Sequence, residues 1–288
     1  MSDFDYCPFL NYDIDKKSLS SKIYFFDTIP LMKEILGTRT PTMKFADLHM
    51  HTNRHDGKME PHEVVDMALA VGHLHAVAIT EHNKISPALD AKRYAETNHY
   101  PILVVVGEEI STKGGHILGL FIEDEIVRGI EAEEAVRQIH RQDGLAIPAH
   151  PFYKRLGAGS LGENAIRKIV ESPDPEIYFD GIEIFNQGVE DLRSDANNNA
   201  RNFFLDNKLL LGAPIGSTDG HFYGVGRAFS GYEGDLKCAI QGGNTIALTL
   251  DPEEQWALVE KAKKIFGEEK VMERINRLRA IAQRRGLI

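Results

Sequence analysis

From Lys44 to about residue 250, short apolar runs alternate with stretches of helical spacing, and this alternation restricts the chain to a narrow set of folds. KFADLHMH reads as a strand, and PHEVVDMALAVG as a helix with Pro61 in its first turn, where a missing N–H does no harm. HAVAIT is the next strand, followed by a helix from about Pro87 to Glu96. PILVVVGEEI is a strongly apolar strand, and GGHILGLFI is its neighbour after a Gly-Gly turn. Residues 131–141 have helical spacing, with Ala135, Val136 and Ile139 on one side. LAIPAH, GIEIF and LLLGAPIGS are three further strands, separated by helical patterns around 160–171 and 195–208. Apolar strands alternating with helices belong to a parallel sheet covered on its outer face. About seven such units over roughly 200 residues fit an α/β barrel better than an open sheet.

On this reading residues 1–43 are an extension ahead of a barrel at 44–250, and residues 251–288 form two helices packed on it. In the second helix Val271, Ile275, Leu278 and Ile281 recur at helical spacing. No apolar run approaches the roughly 18 to 20 residues of a membrane span, so no membrane partner is expected. The first residues, MSDFDYCPFLNYDIDKK, are acidic and interrupted, unlike a secretory signal. Cys7 and Cys238 are the only cysteines, so a disulfide framework is not expected and a reducing cytoplasm is the expected location. The formal net charge of −10 disfavours general affinity for nucleic acid, although a nucleic-acid partner stays possible. In the last 18 residues Arg274, Arg277, Arg279, Arg284 and Arg285 stand against the single acid Glu273, and form either a solvated helix face or a phosphate-binding patch.

Chemistry gathers at strand ends, where enzymes of this architecture place their active sites. His49 and His51 end the first strand, Glu81 and His82 the second, and Glu109 the third. His116 lies in the hairpin partner, His150 follows LAIPA, and Asp219 with His221 follow LLLGAPIGST. Side chains at i and i+2 of a strand leave the same face, so His49 and His51 can grip one cation together. Asp219 and His221 share that spacing, and Gly220 between them lets backbone approach closely. Glu109 can bridge two ions through its two oxygens. The mixture of imidazole and carboxylate suits Zn, Fe or Mn, whereas two scattered cysteines exclude a thiolate-rich site. His62, His73, His75, His99 and His140 lie in helical or turn contexts and read as structural.

DLHMHT with the following HDG, then AITEH, GEEIS, GGHILGL, AIPAHP and GSTDGH, in that order across residues 47–221, resembles the polymerase and histidinol phosphatase (PHP) family. The resemblance implies a distorted, TIM-like (β/α)7 barrel with two or three divalent ions at the C-terminal strand ends. Carried over residue by residue, it implies one ion on His49, His51, Glu109 and Asp219, and a second on Asp56, His82 and His221. A third would take Glu109 as bridge with His116 and His150. His55 replaces the serine of an SDG sequence found in a branch of small phosphoesterases, so His55 competes with Asp56 as ligand, Asp56 being preferred. Glu81 stands where the family more often has Asp, which implies a role in holding a ligand imidazole. Nucleotide-directed relatives can carry an inserted lid domain between the positions of His116 and His150. Residues 117–149 suffice here for a hairpin end, a helix and a strand.

The expected function is therefore metal-dependent hydrolysis of a small phosphorylated metabolite or nucleotide. Ions sharing one water would lower its pKa toward roughly 7 and supply a bridging hydroxide. Asp219 or His221 would relay a proton to the leaving group. Lys154, Arg155 and Arg227 lie near the rim and are either phosphate contacts or solvated loop charges. Two other readings are an amidohydrolase-like enzyme, and a non-catalytic metal-stabilised module recruiting partners through the extension or the tail.

Overall fold

Successive residues along the strands pack into two separate buried clusters. In a computed structural model, which describes residues 23–25, 43–154, 159–192, 194–273 and 276, ten strands are present: β1 (Ile23–Phe25), β2 (Lys44–Asp47), β3 (Ala76–Ile79), β4 (Leu103–Ser111), β5 (His116–Leu120), β6 (Leu145–Pro148), β7 (Gly181–Asn186), β8 (Ala213–Ser217), β9 (Ala228–Tyr232) and β10 (Thr245–Leu250). Ala46, Ala76, Ala78 and Val105 share one buried cluster with Leu118, Ile147 and Ile215, whereas Val77, Ile79, Val104 and Val106 belong to another. On β2 and β3 the residues of the first cluster are alanines, whereas β5, β6 and β8 supply Leu118, Ile147 and Ile215 to it, and the second cluster packs under the helices.

Eight strands hydrogen-bond in the order β1-β10-β9-β2-β3-β4-β5-β6, and β7 pairs with β8. The β7–β8 pair fills the gap, with β7 beside β6 and β8 against β9 and β10. Pairing is parallel for β2–β3, β3–β4 and β7–β8, and antiparallel for β4–β5, β5–β6, β2–β9 and β9–β10. This is the distorted α/β barrel that the motifs imply. Residues 23–25 add an antiparallel edge strand to β10.

Around it lie α1 (Pro61–Val71), α2 (Ser86–Thr97), α3 (Ala132–His140), α4 (Glu163–Val170), α5 (Gln187–Glu190), α6 (Ala196–Asp206), α7 (Leu236–Gln241) and α8 (Pro252–Phe266). Helix α1 starts on Pro61, has Glu63 in its first turn accepting from the Glu60 N–H, and buries Val64, Val65, Ala68 and Val71. Gly72, at φ 84°, stops it. Helix α8 docks on α1, where Lys261 Nζ donates to the Val71 carbonyl at 2.9 Å. Residues 268–273 are again helical and Val271 is buried. Ile275, Leu278, Ile281 and the arginines at 274, 277, 279, 284 and 285 lie outside the described residues.

LLLGAPIGS departs from its expected form. Leu209 is fully exposed, at 100%, in the turn after α6, and the strand begins only at Ala213. The backbone of Gly212, at φ 64°, presses on Asp180 so closely that a Cβ there would meet its carbonyl oxygen at 2.2 Å. No helix among the described residues is long and apolar enough to cross a membrane.

Candidate metal centre

The motif segments reach the site because backbone pairing continues one step beyond the regular strands. Past β2 and β8, Met50 bridges Gly220 in parallel register, the His51 N–H donates to the Gly220 carbonyl at 3.1 Å, and the Gly220 N–H donates to the His49 carbonyl at 3.1 Å. A Cβ on Gly220 would fall 2.3 Å from Met50 Cε, the end of a buried side chain that would have to shift. Beneath the bridge, the buried Asp47 carboxylate accepts from the Thr218 N–H at 3.0 Å and the Gly226 N–H at 2.9 Å. Burial pushes its pKa up to about 6 despite those hydrogen bonds. Past β3, His82 bridges Glu109 of β4, and the Glu109 N–H donates to the Glu81 carbonyl at 3.1 Å.

Four donor atoms then face one another. His49 Nε2 and His51 Nε2 are 3.1 Å apart. Glu109 Oε2 lies 3.4 Å from the first and 3.2 Å from the second, and Asp219 Oδ1 lies 3.5 and 3.3 Å from them. Ligands about 2.0–2.1 Å from one ion in a tetrahedral arrangement would stand roughly 3.3 Å from each other. The spacing suits a shared cation.

Glu109 has a second set of neighbours. Its Oε2 is 3.1 Å from His82 Nδ1, while Oε1 is 2.7 Å from His116 Nδ1 and 2.8 Å from His150 Nε2. Asp56 Oδ2 lies 3.1 Å from His221 Nε2 and 3.6 Å from His82 Nε2. Groups able to hold an ion are thus His51, Asp56, His82 and His221; His49, His150 and Asp219; His49, His51 and Glu109; His82, Glu109 and His116; and His55, Asp56 and Glu81. All nine residues expected as ligands converge.

Behind these donors stands an outer layer. Glu183, buried in β7, accepts from His49 Nδ1 at 2.9 Å, from Ser217 Oγ, from the His150 N–H and from Asn186 Nδ2 at 3.2 Å. Asn186 Nδ2 also reaches Asp219 Oδ2 at 3.2 Å. His150 Nδ1 is 2.9 Å from Ser160 Oγ, and His221 Nδ1 is 3.1 Å from the Asp219 carbonyl. Glu81 accepts from the Thr52 N–H and hydroxyl and lies 3.5 Å from His51 Nδ1.

Burial works against charge throughout, yet the opposite charges win. Burial alone would drive the His49 imidazolium down, but Asp219, Glu183 and Glu109 hold it well above the ordinary histidine value. His51 is raised likewise against burial by Asp219, Glu109 and Glu81. Burial would raise Glu109, but His49, His116 and His150 keep it well below the usual carboxylate range. Asp219 and Asp56 are held low against burial by neighbouring histidines, and Glu183 by His49. Such a cluster draws positive charge, whether protons or metal ions.

Two observations test the fit to metal. Buried and without hydrogen-bond partners are His51 Nδ1, Asp56 Oδ1 and Asp219 Oδ1, and an unsatisfied buried polar atom costs about 1–3 kcal/mol. His150 and Asp219 also adopt positive φ, 31° and 53°, which non-glycine residues rarely occupy and which concentrates at functional sites. The residues fit divalent ions bound by imidazole and carboxylate.

Other expected residues separate here. His55 is 56% exposed, with Nδ1 3.5 Å from Asp56 Oδ1 and its ring 5.0 Å from that of His82, while Asp56 faces His82 and His221. Lys154 is exposed beyond β6, and Arg155 lies outside the described residues. Arg227 requires a correction. It is buried, makes two 2.7 Å contacts to the Asp191 carboxylate and donates Nε to Gln255 at 3.0 Å, so it anchors α8 and the turn after α5 instead of meeting phosphate. Sequence reasoning missed Glu183 and Asn186. The available signal was an acid between two isoleucines in GIEIFN, a strand with no exposed face.

Among solved structures, a two-domain protein from Bacteroides vulgatus, described as containing a predicted PHP-like metal-dependent phosphoesterase, aligns over 76% of this chain and 70% of its own with a TM-score of 0.57 and 20% identity. The fold is that of the PHP-like metal-dependent phosphoesterases. Uncharacterized protein MJ1587 of Methanocaldococcus jannaschii is 33% identical over 152 residues, 49% of this chain and 81% of that protein, and this chain belongs to its family. Uncharacterized protein MJ0417 of the same organism is 27% identical over 107 residues, and the matched segment spans 39% of its length. No family model matches the chain.

Proposed function

We propose that the protein is a metal-dependent phosphoesterase acting on small phosphorylated molecules, metabolites or nucleotides. One observation carries the reading. Both oxygens of the Glu109 carboxylate are engaged by different histidines, Oε2 by His49, His51 and His82 and Oε1 by His116 and His150, the arrangement expected of a carboxylate shared between neighbouring ions. Divalent ions held there would supply a nucleophilic water at neutral pH and neutralise charge on the phosphoryl oxygens.

The chain's own residues do the rest. His49, His51, Glu109 and Asp219 would hold one ion, Asp56, His82 and His221 a second, and His116 and His150 a third through Glu109. Of the two groups expected to relay a proton, Asp219 is kept an anion at neutral pH by His49, His51 and His221. His221 would face the second ion through Nε2 while its Nδ1 lies 3.1 Å from the Asp219 carbonyl, so the relay to the leaving group is assigned to the Asp219–His221 pair and to neither residue alone. Lys154, exposed four residues beyond His150, would steady the phosphate. Residues 117–149 are occupied by β5, a loop, α3 and β6, with no inserted domain, which favours small substrates over a strand held beneath a lid.

The test is phosphate release from a panel of monoesters and diesters, with lactones and amides alongside. The expected result is release that is lost on chelation and restored by Mn or Zn, and absent in His49→Ala. Turnover confined to lactones or amides, or no turnover with ions demonstrably bound, overturns the phosphoester assignment.

A further inference from the structure

We infer that Glu183 is a positioning residue that dictates which nitrogen of His49 is offered to a metal ion. The inference rests on the metal-binding part of the function proposed above and is independent of the substrate.

Four donors meet the two oxygens of this carboxylate. Oε1 takes His49 Nδ1 at 2.9 Å and the Ser217 hydroxyl, and Oε2 takes the His150 N–H and Asn186 Nδ2 at 3.2 Å. Glu183 is 1% exposed, so no water is needed to complete the set. An ionised carboxylate accepts only. His49 Nδ1 must therefore carry the proton, and in the neutral ring Nε2 is left with a lone pair. That atom is the one 3.1 Å from His51 Nε2 and 3.4 Å from Glu109 Oε2. Imidazoles that ligate a metal commonly donate their other N–H to a carboxylate, and losing that partner typically weakens binding by about 10–100-fold.

The same carboxylate ties three strand ends together. Its contacts come from the segment after β2 through His49, from the residue two beyond β6 through His150, and from the end of β8 through Ser217. Asn186, three residues on, shares its amide between Glu183 and Asp219, so one side chain of β7 is in register with ligands of two motifs.

Glu183→Gln separates this role from simple packing, because it preserves size while replacing one acceptor by a donor. The His150 N–H is a main-chain group and cannot become an acceptor, so the glutamine oxygen must stay on that side. Its NH2 then faces Ser217 and His49 Nδ1. The serine hydroxyl can rotate to accept, but His49 Nδ1 can accept only by moving its proton to Nε2, which removes the lone pair from the ion site.

The experiment uses the full chain, stripped by chelation and titrated with Co²⁺ and Zn²⁺, following the visible Co²⁺ spectrum, binding stoichiometry and competition against a chelator of known affinity. Glu183→Gln is expected to lose affinity for one equivalent by about 10–100-fold with the others little changed. Glu183→Asp, which keeps the charge, should recover part of that loss. The stripped proteins are compared by urea unfolding, and a purely structural residue would move those curves without this selective loss. In parallel, long-range ¹H–¹⁵N spectra of the Zn²⁺-loaded wild type should show His49 protonated at Nδ1, a readout that survives even if the variants fail to fold. Wild-type-like affinity in Glu183→Gln, or His49 protonated at Nε2 in the loaded protein, overturns the inference while leaving the metal centre standing. A wild type that takes up no ion overturns both together, and a wild type that binds ions but releases no phosphate leaves Glu183 in its role.

Discussion

Glu109 Oε1 and His116 Nδ1 meet at 2.7 Å as diagonal neighbours of an antiparallel strand pair, in which Glu109 stands opposite Leu118 and His116 opposite Ser111. Because the residues at i and i+2 share a face, the pleat alone delivers both to the barrel interior. A hairpin of nine-residue and five-residue strands thereby supplies a carboxylate and an imidazole to one point.

Glu109→Gln tests how far the site depends on this carboxylate. The amide keeps the shape but removes the charge that five histidines face. Metal analysis after dialysis is expected to show the loss of at least one equivalent, and turnover should fall by about 100-fold or more. Retention of the full complement of ions would show that the carboxylate is not shared.

Arg227 should behave as a structural residue. Its guanidinium is buried against Asp191 and Gln255, and removing one partner of such a pair leaves an uncompensated charge. Arg227→Ala is expected to lower unfolding stability by about 3–5 kcal/mol, and Arg227→Lys by less, since the two-pronged contact is lost but the charge stays. In Arg227→Lys, KM for a phosphoester should be unchanged. A large rise in KM without loss of stability would return Arg227 to the phosphate.

Glu108 points away from its neighbour Glu109 and carries a pH signature. Burial raises it from 4.5 to about 7, although the Ile126 N–H donates to it at 2.9 Å. The folded protein keeps this proton where the unfolded chain has released it, so the stability contributed is full below about pH 4.5 and is lost as pH rises through about 7. Glu108→Gln retains the acceptor without the titration. Urea unfolding of chelated protein should show the variant gaining on the wild type between pH 5 and pH 8. Parallel curves would mean that Glu108 titrates normally.

Gly57 closes the HDG turn against the His51–Thr52 backbone that follows β2. A Cβ there would sit 2.6 Å from the His51 carbonyl carbon and 2.6 Å from the Thr52 oxygen, both main-chain atoms that cannot turn aside. Gly57→Ala is expected to cost about 1–3 kcal/mol and to displace Asp56, weakening uptake of the ion shared with His82 and His221. Thermal unfolding and metal titration of the same sample check both effects.

Most of the centre was legible because its residues interrupt apolar strands at their ends, where polar side chains have little packing role. His49 and His51 announced themselves by two-residue spacing, and Asp219 and His221 repeated it around a glycine. Glu183 was hidden by the rule that exposed the others. It lies inside a strand buried on both faces, so period-two reasoning gives it no preferred side. Arg227 misled because its partner, Asp191, is held by a turn far along the chain that no local pattern joins to it. Leu209 and Leu210 read as a strand start because apolar runs look alike whether or not tertiary packing covers them.

The reciprocal main-chain contacts between Gly220 and the His49–His51 segment give the scaffold a property separate from its chemistry. Amide and carbonyl groups, not the imidazole and carboxylate side chains, stitch two distant stretches of polypeptide into one cradle. Exchanging an imidazole for another donor should then retune which cation is preferred without unravelling the frame that presents it.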